Sequence, residues 1–438
     1  MLKHNTWIAT AVLCTLVFTT QWANAQVEIV GQERRVDTRI PIAVPPCAAA
    51  DPALRSLATE LAQVVADDLA FSGLFNVLPP ERYPAGFVAL DPDVQKLDRD
   101  AWAATKAEHV VFGNLMQDGD QLVTEFRLFD LFTKNQVFGL QLKVDKNFPR
   151  LAAHHFSEEI IRNLEGTPGI GTSEICFSAG PTGNKEIYVA DYDGANVQQV
   201  TKHNSISIKP KMSPDGSKIA YLSYKDRYTF LYVFDRMTGQ SVPLSKEVGL
   251  NIAPAWSPDG SMLAHVLSKD GNNEIYIRNA DGSNLRRLTR NRDVDTSPVF
   301  SPDGSLIAFV SDRGGSPQIY TMDINGENAK RISFQGGGSF DPAWSPDGKF
   351  IAYVVEKRGD GLEIYIMNAD GTNPQRITNS QGGNESPSWS ADSRHIIYGS
   401  TRHGEKALYT YAIESGEERK VPRINLACEG PSWGPRRR

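Results

Sequence analysis

Pro254-Ala255-Trp256-Ser257-Pro258-Asp259-Gly260 is one copy of a block, P-x-[W/F/M]-S-P-D-G, whose repetition decides the fold. Its leading proline recurs at Pro210, Pro254, Pro298, Pro342, Pro387 and Pro431, at intervals of 44, 44, 44, 45 and 44 residues. A second marker, a tyrosine in an [E/Q]-I-Y-like setting, falls at Tyr188, Tyr232, Tyr276, Tyr320, Tyr365 and Tyr409 with the same intervals. Two markers keeping one period identify an array of structural repeats.

Each unit carries four short strand signals, at 253–257, 262–267, 274–278 and 285–289 in the quoted copy. Ser-Pro-Asp-Gly joins the first two, with proline, aspartate and glycine suited to a tight bend. Asp281-Gly282, Asn325-Gly326 and Asp370-Gly371 join the last two, dipeptides that tolerate positive φ in hairpins. Four antiparallel strands per 40–45 residues make a propeller blade. Met212, Trp256, Phe300, Trp344, Trp389 and Trp433 share one repeat position and read as inter-blade core.

Counting also predicts the closure. The strand at Ile175-Cys176-Phe177 lies 44 residues before Ile219 but has no Ser-Pro-Asp-Gly block ahead of it, and Trp433 has no second strand after it. The C-terminal strand therefore completes a blade begun at the other end, giving six blades. In that register Cys176 faces about Ser432, and Cys428 is displaced roughly 13 Å along the strand at ~3.3 Å per residue. That is too far for a Cys176–Cys428 bond. All the cysteines of the mature chain, Cys47 included, read as small buried side chains.

The rest of the chain has a different texture. Residues 1–25 read as an export signal: Lys3 and His4, then an apolar run from Trp7 to Phe18, then Ala23-Asn24-Ala25, with cleavage between Ala25 and Gln26. The run is shorter than the ~20 apolar residues a membrane span needs. Residues 26–165 read as an α/β domain. Helices are expected at 51–73, 98–108 and 149–164, a three-stranded meander at 109–116, 121–132 and 136–145, and short strands at 27–30, 40–44 and 75–78. Residues 166–173 read as a Gly- and Pro-containing linker, and 174–438 as the propeller. The fold class is thus an α/β N-terminal domain followed by an all-β six-bladed propeller.

Composition excludes several classes. The formal charge of −6 argues against a nucleic-acid surface, and 36 glycines with 26 prolines fit repeated turns rather than disorder. No catalytic motif, Walker loop or metal-ligand pair is present, and neither cofactor nor metal is expected. His154-His155 reads as a solvated helix face. Arg34-Arg35 and Arg436-Arg437-Arg438 read as solvated charges near the termini. Asp293 and Asp295 lack the rest of a calcium shell.

The strand directions place the linker on the Ser-Pro-Asp-Gly face and leave the opposite channel mouth open. The residues just before each inner strand would line that mouth: Asn204, Leu250, Ala253, Asp295, Thr296, Phe340, Asp341, Glu385 and Glu429. A rim fed by six loops suits protein binding.

Signal, α/β domain, linker and six blades, with the segments Asp67-Asp68-Leu69-Ala70-Phe71-Ser72-Gly73-Leu74-Phe75 and Ala107-Glu108-His109-Val110-Val111-Phe112-Gly113, together resemble the TolB family of the Tol–Pal system. The resemblance implies a non-enzymatic periplasmic adaptor supporting outer-membrane integrity and cell division. Its implied partners are the outer-membrane lipoprotein Pal, bound through the propeller, and TolA, bound through Gln26-Val27-Glu28-Ile29-Val30 and the residues to about Asp37. Other outer-membrane or division proteins are further candidates. Val27, Ile29 and Val30 equally fit an edge strand of the front domain. Some members carry histidine where Leu250 stands. The alternative is a secreted propeller enzyme or carbohydrate-binding module using the channel. For an enzyme, the rim residues supply acids without a His or Lys partner.

Overall fold

The computed structural model describes residues 38–85, 98–180, 184–357, 359, 361–379 and 382–437. The proposed signal and the segment 26–37 lie outside the described residues.

The front domain is a five-stranded sheet backed by helices. β1 (Ile40–Ala43) lies between β2 (Phe75–Val77) and β3 (His109–Asp118), both parallel to it. β4 (Gln121–Asp130) and β5 (Asn135–Asp145) continue the sheet as an antiparallel meander. α1 (Arg55–Phe71) buries Ala58, Leu61, Val65 and Leu69 against Phe126, Phe156 and Ile160. The short α2 (Arg99–Ala103) is capped by Asp98. It stops well before the expected 108, because Lys106 adopts φ +66° and the chain turns to lay Glu108 N–H on the Pro41 carbonyl. α3 (Arg150–Glu165) ends at Gly166 in the left-handed region.

Six four-stranded sheets follow. Blades 1 to 5 begin with inner strands Ser207–Met212, Asn251–Trp256, Asp295–Phe300, Gly338–Trp344 and Asn384–Trp389. Blade 6 is composite: its inner strand, Cys428–Arg436, pairs with β6 (Ser173–Ala179), followed by β7 (Glu186–Asp191) and β8 (Gln198–Gln199). Ser432 faces Cys176 and Cys428 faces Ala179; all three described cysteines are buried and unpaired.

The motif residues act locally. In the quoted copy Ser257 Oγ donates to Asp259 at 2.6 Å, while Asp259 accepts from Ser261 N–H at 3.0 Å and Met262 N–H donates to Ser257 Oγ at 2.9 Å. Trp256 Nε1 donates across to the Lys211 carbonyl and Trp389 Nε1 to that of Ala343, each 2.9 Å, stitching one blade to the preceding one. The later hairpin glycines are needed for close approach as well as φ. A Cβ on Gly326 (φ +91°) would stand 2.5 Å from the Leu288 carbonyl oxygen of the previous blade.

The front domain rests on the Ser-Pro-Asp-Gly face. The Phe71 carbonyl accepts from His395 Nε2 at 2.9 Å, and the Phe71 ring stacks on the His395 imidazole. His154 corrects the solvated-helix reading: it is buried, with Nδ1 2.8 Å from Asp68, which also accepts from Ser157 and from Tyr192 of the propeller. Arg436 and Arg437 are likewise not free charges. Arg436 donates to the Gly169 and Pro168 carbonyls of the linker, and Arg437 to Thr172 O and Asp191.

Candidate functional site: the central channel and its open mouth

Every inner strand carries the same irregularity. The register shifts by a bulge at the residue before the repeat proline, which takes positive φ: Lys209 53°, Ala253 53°, Ser297 49°, Asp341 45°, Ser386 56° and Gly430 59°. A bulge bends a strand and re-aims its side chains, and here all six positions line a cavity of about 740 Å³ on the disc axis. The ring of prolines gives it apolar walls.

Of the residues expected at the mouth, Ala253, Thr296 and Asp341 line this cavity. Leu250 is exposed at the mouth face, its N–H donating to Ser268 Oγ at 2.9 Å. Asn204 is exposed nearby, its N–H on Glu186. Asp295 does not present itself there: it is fully buried, held by Arg313 at 2.9 Å and Asn291 at 2.6 Å. Phe340 is half-buried between blades, Glu385 is half-buried, and Glu429 is paired with Lys185 and Lys406.

Acids without a basic partner is also corrected. Lys209 Nζ reaches Asp341 Oδ2 at 3.0 Å and Ser386 Oγ at 2.8 Å. Burial alone would raise the Asp341 carboxyl, but the Lys209 ammonium outweighs it and holds it below the ordinary carboxylate value. Two positions on, Lys211 also lines the cavity. The sequence signal for both was the first copy of the repeat, Lys209-Pro210-Lys211, where the other copies carry alanine, serine, valine, aspartate or glycine.

The mouth face bears an apolar arc. Ile206, Leu250 and Val294 hold one repeat position on three consecutive blades and are all exposed, as are Tyr228, Val248 and Phe334 on neighbouring loops. Exposed apolar residues grouped about an opening, unlike scattered single ones, mark interaction sites. His154, Asp191 and Asp193 come within ligating reach of one another, yet Asp68, Arg437 and Arg150 already occupy them.

An α/β domain seated on one face of a six-bladed ring, with a channel open on the other, defines a two-domain β-propeller protein. Family models agree in both parts: the TolB amino-terminal domain matches residues 25–137, and the TolB beta propeller domain matches 161–361 and 336–438. The chain belongs to the TolB family. It is 34% identical over 201 residues to the Tol-Pal system protein TolB of Ruegeria sp. (strain TM1040), and 37% over 191 residues to that of Dinoroseobacter shibae. Those matches span 45% and 42% of each chain, so the chain covers less than half the length of these curated relatives. The crystal structure of TolB from Acinetobacter baumannii superposes with a TM-score of 0.79 at 26% identity, covering 91% of this chain and 97% of that one.

Proposed function

We propose that the protein is a periplasmic, non-enzymatic adaptor of the Tol–Pal system that binds the lipoprotein Pal at the open channel mouth and TolA through residues 26–37. The observation that carries the Pal reading is the exposed arc of Ile206, Leu250 and Val294 on the face left free by the front domain. Thr296, Ala253 and Asp341 would form the floor of that contact, with Asn204, Glu385 and Glu429 at its edge. Support for the system comes from family membership and the relatives' names; support for export comes from the leader-like residues 1–25. The TolA segment rests on the resemblance and on the alternation of Val27, Ile29 and Val30, which suits strand addition to a partner's sheet edge. The domain reading accompanies it: 26–165 for the front domain, 166–173 for the linker and 174–438 for the ring.

Co-purification from periplasm tests the assignment. Recovery of an outer-membrane lipoprotein with a peptidoglycan-binding domain is expected, with loss of TolA alone when residues 26–37 are deleted. Recovery of neither, or turnover of a carbohydrate by the purified chain, would replace the adaptor reading.

A further inference from the structure

Among the described residues of the channel, Lys211 is the side chain whose charge the fold leaves without a partner. It lies deep in the disc, half-buried, with part of its surface on the cavity. Among the described residues its Nζ has no hydrogen-bond or ion-pair partner. Lys209 and Asp341 are the charged side chains that act on it, and Asp341 is already taken by Lys209, Ser297 and Ser386. The mouth acid Glu429 is taken as well, by Lys185 and Lys406. Among the described residues of the channel, the Lys211 charge is thus left over, in a molecule whose overall charge is −6. Its charge faces the channel cavity and closes no blade contact. The corresponding positions of blades 2, 3 and 4 are filled by Ala255, Val299 and Ala343, so the repeat does not need a lysine there.

We propose that Lys211 is the anchor of an anion site in the channel, which takes a carboxylate carried on an apolar body. One uncompensated cation matches a monoanion. The proline ring and the Ala255, Val299 and Ala343 walls match an apolar body, and about 740 Å³ is ample for an organic ligand. Ser388 and Ser432 hold the same repeat position on blades 5 and 6 and line the cavity, with Ser388 Oγ already accepting from Trp433 N–H and Ser432 beside Cys176. Entry from the mouth passes the Lys209–Asp341 pair, so the carboxylate meets Lys209 only by displacing Asp341, whereas Lys211 is free to accept it. Burial, with Lys209 beside it, pulls the Lys211 ammonium below the ordinary lysine value, the cost that a bound anion would relieve.

The carboxylate could belong to a free organic acid or to an acidic side chain inserted from a partner, and two probes separate these. The full chain is titrated calorimetrically with benzoate against benzamide, and with acetyl-Ala-Asp-Ala-amide against its Asn counterpart. At least one charged probe is expected to bind about tenfold tighter than its neutral twin. That preference should be lost in Lys211→Met and kept in Lys211→Arg. Asp341→Asn, which frees Lys209, should strengthen it. Lys211→Met itself should keep the wild-type melting temperature, since its half-buried charge has no partner to lose. Preference for benzoate alone assigns the channel to a free acid, and preference for the Asp peptide assigns it to an inserted side chain. No charge preference with either probe, or one that survives Lys211→Met, overturns the site. No Pal is present in these titrations, so their outcome is separate from that of the docking reading.

Discussion

Lys209 and Asp341 occupy the same repeat position on blades 1 and 4, opposite one another in the ring, and their side chains meet across the channel at 3.0 Å. Both adopt left-handed backbone, φ 53° and 45°, so the bulge that strains each strand is also what aims the two charges at the axis. The pair has a direct consequence for the choice of probe. Reversing Asp341 would set a cation against Lys209, so a loss of partner binding would be mixed with a loss of stability. Thr296, which lines the same cavity, carries no such partner and is the cleaner position.

Removing one member of the bar is expected to destabilise modestly. Both side chains are partly exposed, at 43% and 31%, so Lys209→Met should cost about 1 kcal/mol at neutral pH rather than the larger penalty of a dry ion pair. The Asp341 carboxyl is held below its usual 3.8, so its contribution is present above that value and is lost as pH falls through the folded value. Urea unfolding of wild type and Lys209→Met should therefore converge in acid. The double variant Lys209→Met/Asp341→Asn should recover most of the loss. A difference unchanged by acid would assign the effect to packing.

The junction of the two domains should weaken as pH rises. Burial pushes the His154 imidazole down, but Asp68 at 2.8 Å outweighs it, so the histidine is held above its ordinary 6.5. A group raised in the folded state contributes stability that is complete below its unfolded value and fades as pH climbs through the folded one. Hydrogen exchange in the linker should accordingly be better protected at pH 6 than at high pH. His154→Leu should abolish that dependence, while Asp68→Ala should cost about 3 kcal/mol by stranding His154 Nδ1 and the Tyr192 hydroxyl, Ser157 keeping the His154 carbonyl as acceptor. Equal protection across the range would remove His154 from the junction's energetics.

Two glycines of similar φ separate turn strain from inter-blade contact. At Gly348 (φ +76°) a Cβ would meet nothing within 4 Å, whereas at Gly326 (φ +91°) it would collide with the Leu288 carbonyl. Gly348→Ala is expected to cost about 1 kcal/mol of left-handed strain, and Gly326→Ala about 1–2 kcal/mol more, because a backbone atom must move. Equal chemical-denaturation midpoints for the two variants would show that the blades yield at no cost.

What could be read from the residues follows from which forces are local or periodic. A 44-residue period sets blade number, and the missing halves at Cys176 and Trp433 set the closure, so Ser432 stands opposite Cys176 in the folded chain as in the count. Long-range pairings were another matter. Nothing in the sequence distance between Lys209 and Asp341 signals that ring closure makes them neighbours. Asp295 sits at a rim position by count, but Arg313, in the turn after the adjacent strand, draws it inward. His154 was misread because its burial comes from Tyr192 and Asp68 of separate elements, and Arg436 because the linker carbonyls it meets lie more than 260 residues earlier.

Calorimetric titration with the periplasmic domain of Pal tests the central claim most directly. Wild type should bind, Leu250→Asp and Thr296→Arg should each weaken binding by about tenfold or more, and both variants should keep the wild-type melting temperature. No binding by wild type, or equal affinity in both variants, would contradict the assignment of the open mouth as the Pal-binding surface.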